Sequence, residues 1–267
     1  MTLRRRIIRI GPIRSCPISR ISLCTPTCRR RETATRSRSS IRFPTLNHFS
    51  SRSWGSTLRW RPLRRALRWS AGRWDEAAQL PVRDSQFPAA QSITHFARAL
   101  GAARAGNAAA ALAEISRLDE IEAKLTAANN DYWAGQTRIQ KQAAMAWAMF
   151  SEGQRDEAIA AMRQAADLDD TSEKNVAMEN KLVPIRALLG ELYLAAGMDK
   201  EALVELEASD KVMPNRFRII AGAAAAARAI GSADAAKRYY RALTALVVGS
   251  DGDRPEISEA RLYLAQN

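Results

Sequence analysis

Apolar residues between Pro184 and Asn215 fall into two short runs with a helical period. Ile185, Leu188, Leu189, Leu192 and Ala196 recur at steps of three and four, which places them on one face of a helix. Gly190 supplies a small residue where a second helix must come close. Gly197 then permits the positive-φ turn that ends a helix. Asp199 is expected to cap the next helix, with Glu201 in its first turn, where a carboxylate suits the helix dipole. Ala202, Leu203, Leu206 and Val212 form a second apolar face, and Pro214 follows as a stop. A pair this short cannot bury its own faces, so it needs neighbours built the same way.

Those neighbours are present. Gly72-Arg-Trp-Asp-Glu-Ala77 and Gly153-Gln-Arg-Asp-Glu-Ala158 match Gly197-Met-Asp-Lys-Glu-Ala202: a turn glycine five residues before a packing alanine, with acids between. Gly106 to Ala111 and Gly231 to Ala236 follow more loosely. The turn glycines are separated by 34, 47, 44 and 34 residues. The pattern predicts helices over 89–105, 108–127, 130–152, 155–168, 184–196, 199–213, 216–230, 232–248 and 255–265. Pro81, Pro88, Pro184, Pro214 and Pro255 all fall between these or at their starts, where proline is tolerated. The last helix reads as a cap, with Ile257, Ala260, Leu262 and Leu264 covering the final face.

Taken together these residues resemble the tetratricopeptide repeat (TPR), a helix–turn–helix unit of about 34 residues. Leu189-Gly190, Tyr193, Gly197, Ala202 and Pro214 match its pattern in order. The unit around Gly153 supplies Met145-Ala146, Met149, Ala158 and Ala165, with Asp170 in place of the proline. The unit around Gly231 supplies Ala223-Ala224, Ala236, Tyr240 and Leu243. The resemblance spans residues 72–267. It extends to bacterial TPR-repeat proteins through AQSITHFARALGAARAGN and MPNRFRIIAGAAAAAR. It implies an all-α chain whose units stack as an α-solenoid. The longer spacings imply lengthened helices or loops.

The resemblance also implies a concave groove lined by the first helix of each unit. Counting from the turn glycines, its positions are Phe96, Leu100, Arg104, Ala143, Trp147, Phe150, Ala187, Glu191, Leu194, Ala221, Ala225 and Arg228. Trp147 and Phe150 carry the most information, because an aromatic in a groove can anchor a peptide. The competing reading is that lengthened helices turn these residues into the core. Arg218 and Arg228 either meet a carboxylate or are simply solvated.

Charge divides the chain at the same place as the repeat. Residues 1–74 hold nineteen Arg, no Lys and one acid (Glu32), a balance of +18. The remainder holds 22 basic and 27 acidic residues, a balance of −5. The overall +13 therefore says nothing about the helical part. Residues 1–71 are rich in Arg, Ser and Trp, lack a sustained period, and are expected to be disordered. Four readings stand for them: an organelle transit peptide, a nucleic-acid or anionic-membrane arm, a plain tail, or a misread frame or overlong start. The last fits best. A working basic arm without Lys is odd, and Arg61, Arg64, Arg65 and Arg68 sit where a first helix near 58–70 should pack.

Candidate chemistry is sparse. Cys16, Cys24 and Cys28 precede the repeat, and their spacing with His48 is not that of a structural zinc site. The other histidine, His95, reads as a partly exposed helix residue. Asp167, Asp169 and Asp170 read as a solvated helix end, and Asp251-Gly-Asp253 as a turn. No phosphate loop or nucleophile elbow occurs. The sequence therefore implies no catalytic residue, no cofactor and no metal. With no secretory signal or membrane-length apolar run, a soluble, cytoplasmic protein is the default expectation. The favoured function is a non-catalytic scaffold that takes a protein or peptide partner in the groove. The alternative is nucleic-acid or anionic-membrane binding through the arginine-rich segment, with nucleic acid the less favoured partner.

Overall fold

The computed structural model describes residues 74–172, 183–247 and 254–267, all within the unit Ser50–Asn267. Ten α-helices and no strand occur among these residues. They are α1 Trp74–Ala78, α2 Pro88–Arg104, α3 Ala108–Ala127, α4 Asp131–Ser151, α5 Arg155–Thr171, α6 Ile185–Ala195, α7 Asp199–Val212, α8 Phe217–Ala229, α9 Ala233–Leu246 and α10 Pro255–Gln266. The readings of residues 1–71, including Cys16, Cys24, Cys28, His48 and the helix near 58–70, lie outside the described residues, as does the turn at Asp251–Asp253.

One turn builds every unit. The pairs α2–α3, α4–α5, α6–α7 and α8–α9 are each joined by three residues, and the middle one is glycine. Gly106, Gly153, Gly197 and Gly231 adopt φ of 78°, 87°, 71° and 75°, a region that residues with a Cβ enter at a cost. The next amide then reaches back five residues: Asn107 to Ala102, Gln154 to Met149, Met198 to Tyr193 and Ser232 to Ala227, at 2.8–3.0 Å. This bond satisfies a carbonyl that the helix end would otherwise leave open. So short a turn forces the two helices antiparallel. α3 is linked to α4 through Asn129 and α7 to α8 through Asn215, the two non-glycine residues at positive φ among the described residues, 52° and 62°.

Each helix packs on the next, and α2 also packs on α4, as does α6 on α8. The first helices therefore form one layer and the second helices another. Alanine makes this close stacking possible: Ala97, Ala99, Ala143, Ala144, Ala165, Ala166, Ala202 and Ala224 are fully enclosed. One core runs from α2 through α7 and takes in Ala226 of α8, and a second joins α8, α9 and α10. Leu206 of α7 wedges between two glycines. A Cβ on Gly190 would lie 2.6 Å from its Cγ, and one on Gly222 3.0 Å from its Cδ1.

Three local expectations are corrected. Met198, not Asp199, occupies the N-cap position of α7 and makes no side-chain capping hydrogen bond; Asp199 and Glu201 both lie in the first turn, where the dipole still favours them. Val212 is 67% exposed, because the helix has rotated it off the apolar face by the last turn. Leu262 is also exposed, while Ile257, Ala260, Tyr263 and Leu264 carry the packing of α10.

The short α1 docks on α2 at Gly101. A Cβ there would lie 2.5 Å from the Ala78 backbone nitrogen and 2.8 Å from the Ala77 Cβ. Backbone cannot yield as a side-chain tip does. Gly101→Ala is therefore expected to undock α1 at a cost of about 1–3 kcal/mol. Hydrogen exchange should accelerate across residues 75–79 and stay unchanged in α8 and α9.

Candidate functional site

The layer of first helices brings together side chains far apart in sequence. Arg104 ends α2, Trp147 lies in the last two turns of α4, Glu191 follows Gly190 in α6, and Arg218 opens α8. Glu191 is the hub. Arg218 donates Nε to its Oε1 at 2.7 Å and Nη2 to its Oε2, while Arg104 donates Nη1 to Oε2. The carboxylate is 7% exposed, and both guanidiniums are largely covered. An isolated buried carboxylate would be costly, so its two partners are what let it stay charged.

Aromatic rings complete the cluster. The Arg104 guanidinium lies 3.9 Å from the ring centroid of Trp74 in α1 and 4.2 Å from that of Trp147. Arg218 lies 4.9 Å from Trp74. Guanidinium groups are weakly hydrated and planar, so they stack on indole faces at little desolvation cost. Phe150 meets Trp147 edge-on at 5.8 Å. Trp147 is buried, and its Nε1 has no hydrogen-bond partner.

The electrostatics fix the charge state. Burial pushes the Glu191 carboxyl up, but the charges of Arg218 and Arg104 and their hydrogen bonds outweigh it and hold the group down to about 2. Arg104 is lowered from its ordinary value, chiefly by burial and then by the charge of Arg218, with Glu191 opposing both. Two guanidiniums against one carboxylate leave the cluster net positive. With Glu191 held ionised by its two guanidiniums, the cluster offers fixed charge rather than acid–base chemistry.

The expected groove residues divide. Arg104, Trp147, Phe150 and Glu191 come together here. Phe96 and Leu100 are buried in the first core, as are Ala143 and, in a smaller cluster, Ala187. Leu194 is half-buried against Gly222. Arg228 is exposed and reaches Glu259 of α10 at 3.1 Å. Arg218 meets a carboxylate, the first of the two roles open to it. Trp74 had no signal in the sequence beyond its place in the first Gly-x-Trp-Asp-Glu-Ala segment.

His95 lies elsewhere. Its Nδ1 is 2.7 Å from Glu114, which also takes Arg98 at 2.7 Å, so the trio ties α2 to α3. Among the described residues no cluster of His, Cys, Asp or Glu is arranged for a metal. No helix among them is long and apolar enough to cross a membrane.

No protein-family model matches the chain, and no curated protein matches it. Among solved structures it is similar to a crystal structure from Podosopora anserina, described as a kinesin light chain with nearly identical TPR-like repeats. That pair shares 18% sequence identity at a TM-score of 0.46, covering 68% of this chain and 87% of the other. The four helix pairs, their shared glycine turn and the single layer of first helices make residues 88–266 a TPR-like α-solenoid.

Proposed function

We propose that this chain is a non-catalytic scaffold that binds a protein or peptide segment on the face formed by α2, α4, α6 and α8. The observation that carries the reading is the Arg104–Glu191–Arg218 cluster with its two tryptophans. It unites all four first helices and leaves a net positive charge beside aromatic rings. Arg218 and Trp74, half-buried at its edge, suit a segment that presents a carboxylate next to an apolar side chain. Glu191 stays ionised across the physiological range, which favours binding over proton transfer.

The test uses the full chain as bait, identifies a co-purifying protein, and titrates that protein by calorimetry. Arg218→Ala removes one guanidinium from a partly exposed position and leaves Glu191 paired with Arg104. It should weaken the partner about tenfold or more, with helicity unchanged by circular dichroism. Affinity unchanged by Arg218→Ala, and falling steeply with salt, would move the site to the arginine-rich segment and overturn the reading.

A further inference from the structure

The shortest of the described helices, α1, has five residues, buries one of them (Ala77) and exposes Asp75 and Glu76. A helix this short does not form alone in water, so α1 is helical only while it is docked. Its backbone packs on α2 at Gly101, where the Ala77 and Ala78 main chain comes close enough to exclude a Cβ. Nine residues, 79–87, lead from α1 to α2. Arg98 donates Nη1 to the Leu80 carbonyl at 2.6 Å and pins the near end of that loop, while residues 81–84 are exposed. Such an element, small, little buried and tethered by a solvated loop, can leave its place while the helix pairs stay folded.

Yet Trp74 carries α1 into the charged cluster. Its ring centroid lies 3.9 Å from the Arg104 guanidinium and 4.9 Å from that of Arg218. One indole thus meets cations from α2 and from α8, in the first and the fourth helix pair. Both cations are oriented by Glu191. The strength of such a stack depends on where the cation lies over the ring. Whatever moves Arg104 or Arg218 therefore changes how firmly α1 is held. The converse holds as well: with α1 undocked, Trp74 no longer stands beside Arg218.

We propose that docking of α1 and occupancy of the first-helix face are coupled, so that α1 regulates the partner site; the inference rests on the binding reading above. A segment with its carboxylate at Arg218 and its apolar side chain on Trp74 touches α1 only in the docked state. It therefore binds that state more tightly and shifts α1 toward it. By linkage, undocking α1 weakens the segment by the same factor. The stacked helix pairs supply the fixed charges, and one detachable short helix sets the affinity.

The test is hydrogen exchange of the full chain read by mass spectrometry, with acetyl-Leu-Asp-amide as the probe segment. Without peptide, Glu191→Gln lets the two guanidiniums part and should speed exchange across residues 75–79 about fivefold relative to α9. Saturating peptide should slow exchange there about threefold or more in the wild type. By calorimetry, Gly101→Ala should bind the peptide about fivefold weaker or worse, with the helix pairs still folded by circular dichroism. Arg218→Ala separates the two readings. Binding weakened by Arg218→Ala but not by Gly101→Ala, with exchange at 75–79 indifferent to the peptide, overturns the coupling and leaves the face reading intact. No binding to the wild type overturns both. An equal rise in exchange across α1 and α9 in Glu191→Gln also overturns the coupling, because the variant then loosens the whole fold.

Discussion

Glu191→Ala is expected to destabilise the folded chain by about 3–5 kcal/mol, read from urea unfolding. The reason is the charge left behind. With the carboxylate gone, Arg104 and Arg218 face one another in a covered site between two tryptophans, with no counter-charge. Removing one partner of a buried pair strands the other, and here it strands two. The companion variant Arg104→Ala should cost less, because Glu191 keeps its bidentate bond to Arg218. If Glu191→Ala costs under about 1 kcal/mol, the cluster behaves like a surface ion pair and does not hold the first helices together.

The same group sets a pH dependence. The Glu191 carboxyl is depressed from an ordinary 4.5 to about 2 in the folded chain. A depressed acid stabilises the fold above its unfolded value and loses that contribution as pH falls through its folded value. The contribution, on the order of 3 kcal/mol, is thus complete above pH 5 and is lost progressively between pH 5 and 2. Subtracting the stability curve of Glu191→Gln from that of the wild type isolates this component from other acids. A flat difference across pH 5 to 2 would show that the carboxylate is not held by Arg104 and Arg218.

The repeat was legible because it is local. A turn glycine, the alanine five residues later and the apolar period around them all lie within one helix pair. Accordingly α3 matches its predicted span of 108–127, and each other predicted helix ends within three residues of the one observed. The limits of legibility are equally physical. The run from Ala202 to Val212 reads as one apolar face, yet six residues at 3.6 per turn set Val212 about 120° around the helix from Leu206, and only Leu206 meets Gly190 and Gly222. The groove list mixed Phe96 and Leu100, which are core, with Arg104 and Glu191, which form the cluster. Periodicity assigns a residue to a face, and burial then depends on which helices lie across it. Arg104 pairs with a residue 87 positions away, and nothing local announces that bond.

The close approach at Gly190 gives the second large effect, and it is a coupled one. Leu206→Ala removes a fully buried wedge from between α6, α7 and α8 and should cost about 2–5 kcal/mol. Gly190→Ala drives a methyl to within 2.6 Å of the same leucine and should cost about 1–3 kcal/mol. In the double variant the new methyl enters the space that Leu206 vacates. The double should therefore be less destabilised than the sum of the singles by about 1 kcal/mol or more. Additive costs would mean that the two residues do not share that space. The cycle also reports on the charged cluster, because Glu191 is the next residue along α6. If Gly190→Ala pushes α6 off Leu206, it also displaces the carboxylate from Arg104 and Arg218. The loss of stability between pH 5 and 2 should then shrink in the single variant and return in the double. That outcome would tie the small-residue packing between units to the charged surface those units hold in place.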